Sequence, residues 1–145
     1  MLDDPKPDAA AVLPDAQAML AKYDEAIAMV SKAAPLNPLY DDVAKLRIVR
    51  ANIRLVTPAL KAGDFAKARK AFDRFDNKWD SIEDLIKDRS MDAYVTIEKN
   101  MIQVEQALMP DKPDVAKVTA LVTSITDPYN TVLADIAKDA KAANK

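Results

Sequence analysis

Histidine and cysteine are both absent from the 145-residue chain, and glycine occurs once. Without them zinc sites built on imidazole or thiolate, haem attachment, Ser-His-Asp and Cys-His nucleophiles, phosphorelay histidines and disulfides are all excluded. The near-absence of glycine excludes as much. Tight hairpins need residues at positive φ, and dinucleotide loops, phosphate loops and nucleophile elbows need glycine for close backbone approach. Aromatic residues are sparse at 6%, and no block of lysine and arginine stands out from a net charge of −2. Nucleic acid is therefore not an expected partner. No apolar run approaches the length that spans a bilayer, so no transmembrane segment is expected. The opening "MLDDPKPDAAAVLPDA" is acidic and proline-containing, without the charged-then-apolar start of a signal peptide. It leaves two readings, a cytosolic protein or the mature part of an exported one.

What is present is soluble and globular in character: half the residues are hydrophobic and 30% are charged. The chain is long enough for one domain with a core of its own. Its apolar residues recur at spacings of three and four throughout, which is the period of a helix. A first helix is expected over 13–34, with Leu13, Leu20, Tyr23, Ile27 and Val30 on one stripe, ended by "PLNP". A second starts near Leu39 and carries Val43, Leu46, Val49, Ile53, Val56 and Leu60, with a kink or an early end at Pro58. Gly63 reads as the left-handed residue just past that helix, and Asp64 as the N-cap of the next. The third helix is expected over 65–88, with Phe72, Phe75, Trp79, Ile82 and Ile86 inward. Ser90 then caps a fourth over 91–108, with Tyr94, Ile97, Met101, Val104 and Leu108 inward. A last helical region carries Val118, Val122, Ile125, Tyr129, Val132 and Ile136, and Pro128 is either a kink in it or a fresh start. Short links between amphipathic helices force antiparallel neighbours. The expected fold is all-α: a single domain over residues 1–145, built as an up-and-down antiparallel bundle of four to five helices. Residues 1–12 and 140–145 are expected to be flexible tails.

The stretch "DNKWDSIEDLIKDRSMDAYVTIEKNMIQVE" (76–105) is dense in carboxylates. With Phe72, Trp79 and Ile86 at heptad position a, Asp76 and Glu83 fall at e. With Tyr94, Met101 and Leu108 at a, Glu98 and Glu105 fall at e as well. In an antiparallel pair, e flanks meet e flanks. In a hairpin turning near Ser90, residues whose numbers share one sum lie level, and Glu83–Glu98 and Asp76–Glu105 share the same sum. Two acid pairs are thus expected across one seam, about two turns apart. Asp80 lies between them, with Asp73 and Asp84 beyond. Facing acids repel, and a half-buried pair raises one pKa of the two. A cation removes that cost. An all-oxygen ligand set suits hard ions, namely Ca²⁺, Fe³⁺ or a trivalent lanthanide. The competing reading is a solvated helix face whose acids pair with Lys78, Lys87 and Lys99. Trp79, Phe72 and Phe75 are expected in the core rather than as a ligand platform. Met91, Met101 and Met109 are expected to fill gaps rather than to bind a soft metal.

"FDRFDNKWDSIEDLIKDRSMDAYVTIEKNMIQVEQAL" (72–108) resembles the extracytoplasmic helical domain attached to bacterial high-affinity iron permeases of the Ftr/Efe type. The resemblance rests on Phe75, Trp79, Ile82, Glu83, Lys87, Ser90, Tyr94, Ile97, Glu98 and Met101. It extends more loosely upstream through "GDFAKARKAF", so it covers about residues 63–108. It implies export to the periplasm or cell surface and a role in handling iron. The membrane-embedded Arg-Glu-Gly-x-x-Glu motif of the permeases is absent, so a transport activity of its own is not implied. The resulting expectation is a non-enzymatic periplasmic or extracellular protein that binds ferric iron or a trivalent lanthanide in metal uptake or trafficking, Ca²⁺ being a further option. Glu83 and Glu98 are the central ligands, Asp76, Asp80 and Glu105 additional ones, and Asp84 and Tyr94 weaker ones. A membrane permease or other uptake component is a candidate partner, and a metal-linked homodimer is conceivable. The alternative is a non-catalytic helical docking module of a larger, membrane-associated complex, without metal.

Overall fold

The computed structural model describes residues 9–33 and 37–143. Every described element is an α-helix, and no strand occurs among the described residues. The chain divides into two units, Met1–Leu36 and Asn37–Lys145. The described part of the first is α1 (Ala9–Ala33), with Pro14 inside it. On the expected stripe, Leu20, Tyr23 and Ile27 are exposed. The side chains of Leu13 and Val30 lie outside the described residues, as do residues 1–8.

The second unit is a bundle of four rods, two of them broken. The first rod is α2 (Pro38–Ile53) followed by α3 (Val56–Lys61). Its N-cap is Asn37, whose Oδ1 accepts from the Leu39 amide at 3.0 Å. The break at Arg54 and Leu55 has a local cause. Pro58 has no N–H to give the Arg54 carbonyl, and its ring crowds that carbonyl. The Leu55 amide turns instead to Asn52, three residues back, at 3.0 Å. Gly63 ends the rod at φ 73°. Its amide bonds the Leu60 carbonyl at 3.0 Å and the Asp64 amide bonds that of Ala59 at 3.0 Å, the paired bonds of a Schellman cap. Asp64 then accepts from the Lys67 amide and opens α4 (Phe65–Trp79).

The third expected helix is not continuous. It is interrupted at Asp80–Ile82 and resumes as α5 (Glu83–Arg89). The Ser81 hydroxyl donates to the Lys78 carbonyl at 2.6 Å, and the Ser81 and Ile82 amides bond three residues back rather than four. A hydroxyl competing for a helix carbonyl tightens the turn. Ile82 remains buried through it. Ser90 caps α6 (Met91–Leu108), accepting from the Ala93 amide at 3.2 Å. Asp114 caps α7 (Val115–Ala142), which runs unbroken through Pro128. The last helix also runs past the point where fraying was expected. Ala140 is fully buried, and its carbonyl accepts from the Asn37 amide group at 3.4 Å.

The rods close a ring: α6 packs on α4, α5 and α7, α7 on α2 and α3, and these on α4. All the inward residues expected from Val43 to Ile136 are buried, save Tyr94, which is half-buried. Each fully buried Leu, Ile, Val or Phe side chain contributes about 1.5–3 kcal/mol. At the centre Phe75, Trp79 and Tyr129 form one aromatic cluster with centroids 5.9–6.5 Å apart. Tyr129 is fully buried, and its hydroxyl donates to the Leu46 carbonyl at 2.7 Å. Burial pushes that phenol well above the ordinary tyrosine range.

Candidate functional site

The seam between α4/α5 and α6 starts from the aromatic cluster. Trp79 is the last residue of α4 and only 2% exposed. A buried indole needs an acceptor for its N–H, and here it donates to Oε1 of Glu98 on α6. The Tyr94 ring stacks on the indole at 6.4 Å with 15° between planes. Lys87 Nζ lies over the other aromatic system of this edge, 5.4 Å from the Tyr94 ring centroid. The order outward from the core is therefore indole, phenol, ammonium, with the Glu98 carboxylate anchored at the rim.

The acids spread along this rim. Glu98 and Glu83 are half-buried, and Glu83 is the first residue of α5. Asp76, Asp80, Asp84 and Glu105 are exposed. Asp76 holds its proton above the usual carboxylate value. Partial burial is the main cause, followed by the charges of Glu105, Asp80, Asp73 and Glu98. The Tyr94 phenol is raised as well, first by loss of hydration and then by Glu98, Glu83 and Asp84. Two neighbourhoods follow from these couplings. Asp76 feels Glu105 more than any other charge, while Glu83 and Glu98 both act on Tyr94. The seven residues expected at the site thus fall into one field of negative potential, in which Tyr94 keeps its proton at neutral pH.

The field is not a formed coordination sphere. Among the described residues no group of three or more acidic side chains is placed to hold a metal ion. The lysine partners expected on the solvated-face reading are not in place either. The ion pairs among the described residues are Lys45–Asp42 at 3.8 Å and Arg89–Asp139 at 2.6 Å, and neither touches the seam. Of the methionines, Met101 is buried and fills a gap as expected. Met91 and Met109 are 53% and 69% exposed, because they fall on the side of α6 away from the core.

The Trp79–Glu98 bond was not anticipated. The signal for it was available, since the only tryptophan of the chain sits mid-stripe and a buried indole N–H needs a nearby acceptor. Comparison of the chain with protein-family models, with curated proteins and with solved structures finds no match.

Proposed function

We propose that the protein is a non-catalytic binder of a hard, highly charged cation, held by the carboxylates of the α4/α5–α6 seam. Ferric iron or a trivalent lanthanide fits best, with Ca²⁺ a weaker fit. The observation that carries the reading is a like-charged seam without a described basic partner: the Asp76 proton is held first by partial burial and then by four neighbouring carboxylates, and Lys87 sits on a ring. Like charges kept together at a protein surface are a standing cost that a counter-ion removes. Glu83 and Glu98 are the central ligands in this reading, with Asp76, Asp80 and Glu105 closing around the ion by rotation of exposed side chains. Asp84 and Tyr94 are further donors, the phenol giving up its proton only to a trivalent charge. The resemblance to the helical domain of Ftr/Efe-type iron permeases supports a place outside the cytoplasm, periplasmic or extracellular, in metal uptake or trafficking beside a permease or other uptake component. Exposed carboxylates also allow one ion to be shared in a metal-linked homodimer.

The test is a melting series of metal-free protein with Ca²⁺, a soluble Fe³⁺ chelate, La³⁺ and Zn²⁺ added separately. An ion at a hundred times its dissociation constant stabilises by about 2.7 kcal/mol, or roughly 10 °C for a unit of this size. The trivalent ions are expected to give that rise, and a Glu83→Gln/Glu98→Gln double variant to lose it. The glutamine at 98 keeps an acceptor for the Trp79 indole, so the apo variant should melt at the same temperature or higher. A sharp fall in apo stability would show the acids to be structural, and no rise with any ion would refute the cation reading.

A second reading, a docking module without metal, is favoured by one observation. Met91, Val95, Ile102 and Met109 form an exposed apolar ridge along one side of α6. On this reading the ridge, and not the seam, carries the function, and melting is indifferent to every ion.

A further inference from the structure

A cleft between α2/α3 and α7 has the opposite charge to the seam. Its volume is ≈ 420 Å³, and its walls are Arg50, Arg54, Thr57, Thr123, Thr126 and Asn130. Its floor is Ile53 and Val122, both buried. Arg50 lies in the last turn of α2 and Arg54 in the break just after it, four residues on, where like charges repel. Neither has a carboxylate within ion-pair distance among the described residues. Arg50 Nη1 donates to Asn130 Oδ1 at 2.9 Å, which fixes that guanidinium against the α7 wall. Its remaining N–H groups, and the whole fork of Arg54, have no acceptor among the described side chains that line the cleft. The Thr123 and Thr126 hydroxyls of α7 donate to the Thr119 and Thr123 carbonyls at 2.9 and 3.2 Å, so the further donors open to a ligand are the Thr57 hydroxyl of α3 and the Asn130 Nδ2 amide of α7. A polar cleft of this size with paired forks is built for an acceptor-rich anion.

We propose that this cleft binds a doubly charged phosphate group, free or at the end of a small phosphomonoester, with Arg54 and Arg50 gripping its oxygens and the Thr57 hydroxyl and Asn130 amide completing the set. The site is independent of the acidic seam and of any cation there. Phosphate suits it because a tetrahedral group presents oxygens to two forks at once and has further oxygens for the Thr57 hydroxyl and the Asn130 amide. A planar carboxylate engages one fork at a time.

The experiment is an amide NMR titration of the full chain at constant ionic strength, with inorganic phosphate, glycerol 3-phosphate and malonate as separate probes. Saturable shifts confined to residues 50–57 and 122–130 are expected for both phosphates. A tighter fit for the ester marks an attached phosphate as the ligand, and equal affinities mark the free ion. Arg54→Gln should weaken binding by about tenfold or more, the worth of a charge-assisted fork. Arg54→Lys, which keeps the charge and loses the fork, should also weaken it. Arg47→Gln, on the same helix but outside the cleft, should change nothing. Arg54 is exposed, so its variants fold, and their apo spectra check this. Shifts that never saturate, equal binding of malonate, or binding untouched by Arg54→Gln would each overturn the proposal.

Discussion

Trp79→Phe is the substitution that asks most of this structure. The indole is 2% exposed, packs against Phe75, Tyr94 and Tyr129, and donates its N–H to Glu98. Phenylalanine keeps one ring and loses the other. In a packed core the lost contacts cost about 1–2 kcal/mol. A hydrogen bond to a charged group is worth about 1.5–3 kcal/mol when buried. Glu98 is only half-buried and can be rehydrated, which lowers its share to about 1 kcal/mol. The expected loss is therefore about 2–3 kcal/mol, or roughly 10 °C in melting temperature. Urea denaturation followed by circular dichroism measures it, since the variant has no tryptophan. A cycle with Glu98→Ala isolates the hydrogen bond, and a coupling of about 1 kcal/mol is expected. A total loss under about 1 kcal/mol, or a coupling of zero, would refute both the packing and the anchoring of Glu98.

Asp76 gives a pH signature. Its folded pKa is raised by burial and by Glu105, Asp80, Asp73 and Glu98. The folded state therefore binds that proton more tightly than the unfolded one, and its contribution to stability improves as pH falls through the raised value towards 3.8. Asp76→Asn should stabilise the cation-free protein at neutral pH and flatten this part of the melting-temperature profile. An Asn variant less stable at pH 7 would mean that Asp76 has an attractive partner. Gly63→Ala tests the cap: an added Cβ meets nothing within 4 Å, so the cost is conformational alone, about 1 kcal/mol. A neutral result in thermal melting would mean that the φ of 73° relaxes freely.

Local chemistry decided much of this fold in advance. Caps are short-range, so Asp64, Ser90 and the left-handed Gly63 were legible from neighbours in sequence. The inward stripes were legible because a helix repeats every 3.6 residues wherever it lies. Breaks were harder. Pro58 signals its own, but the interruption after Trp79 depends on Ser81 taking the Lys78 carbonyl, and serine tolerates helices as often as it ends them. The crowding of carboxylates over 76–105 was legible as composition, but the register that pairs Asp76 with Glu105 and Glu83 with Glu98 assumes one continuous helix over 65–88, and the structure interrupts it between Trp79 and Glu83.

The sequence by itself thus determined the helical class, the caps at Asp64 and Ser90, the left-handed Gly63 and the inward faces from Val43 to Ile136. The tertiary structure alone decided that the indole of Trp79 spans the seam to Glu98. It alone decided that Lys87 lies on Tyr94 rather than on an acid, and that Arg50 and Arg54 meet the threonines of α7 across a cleft. The first set depends on residues within a turn or a hairpin of one another. The second depends on which rotamers survive when four rods are packed together, and side chains 19 or 80 residues apart have no periodicity that records it.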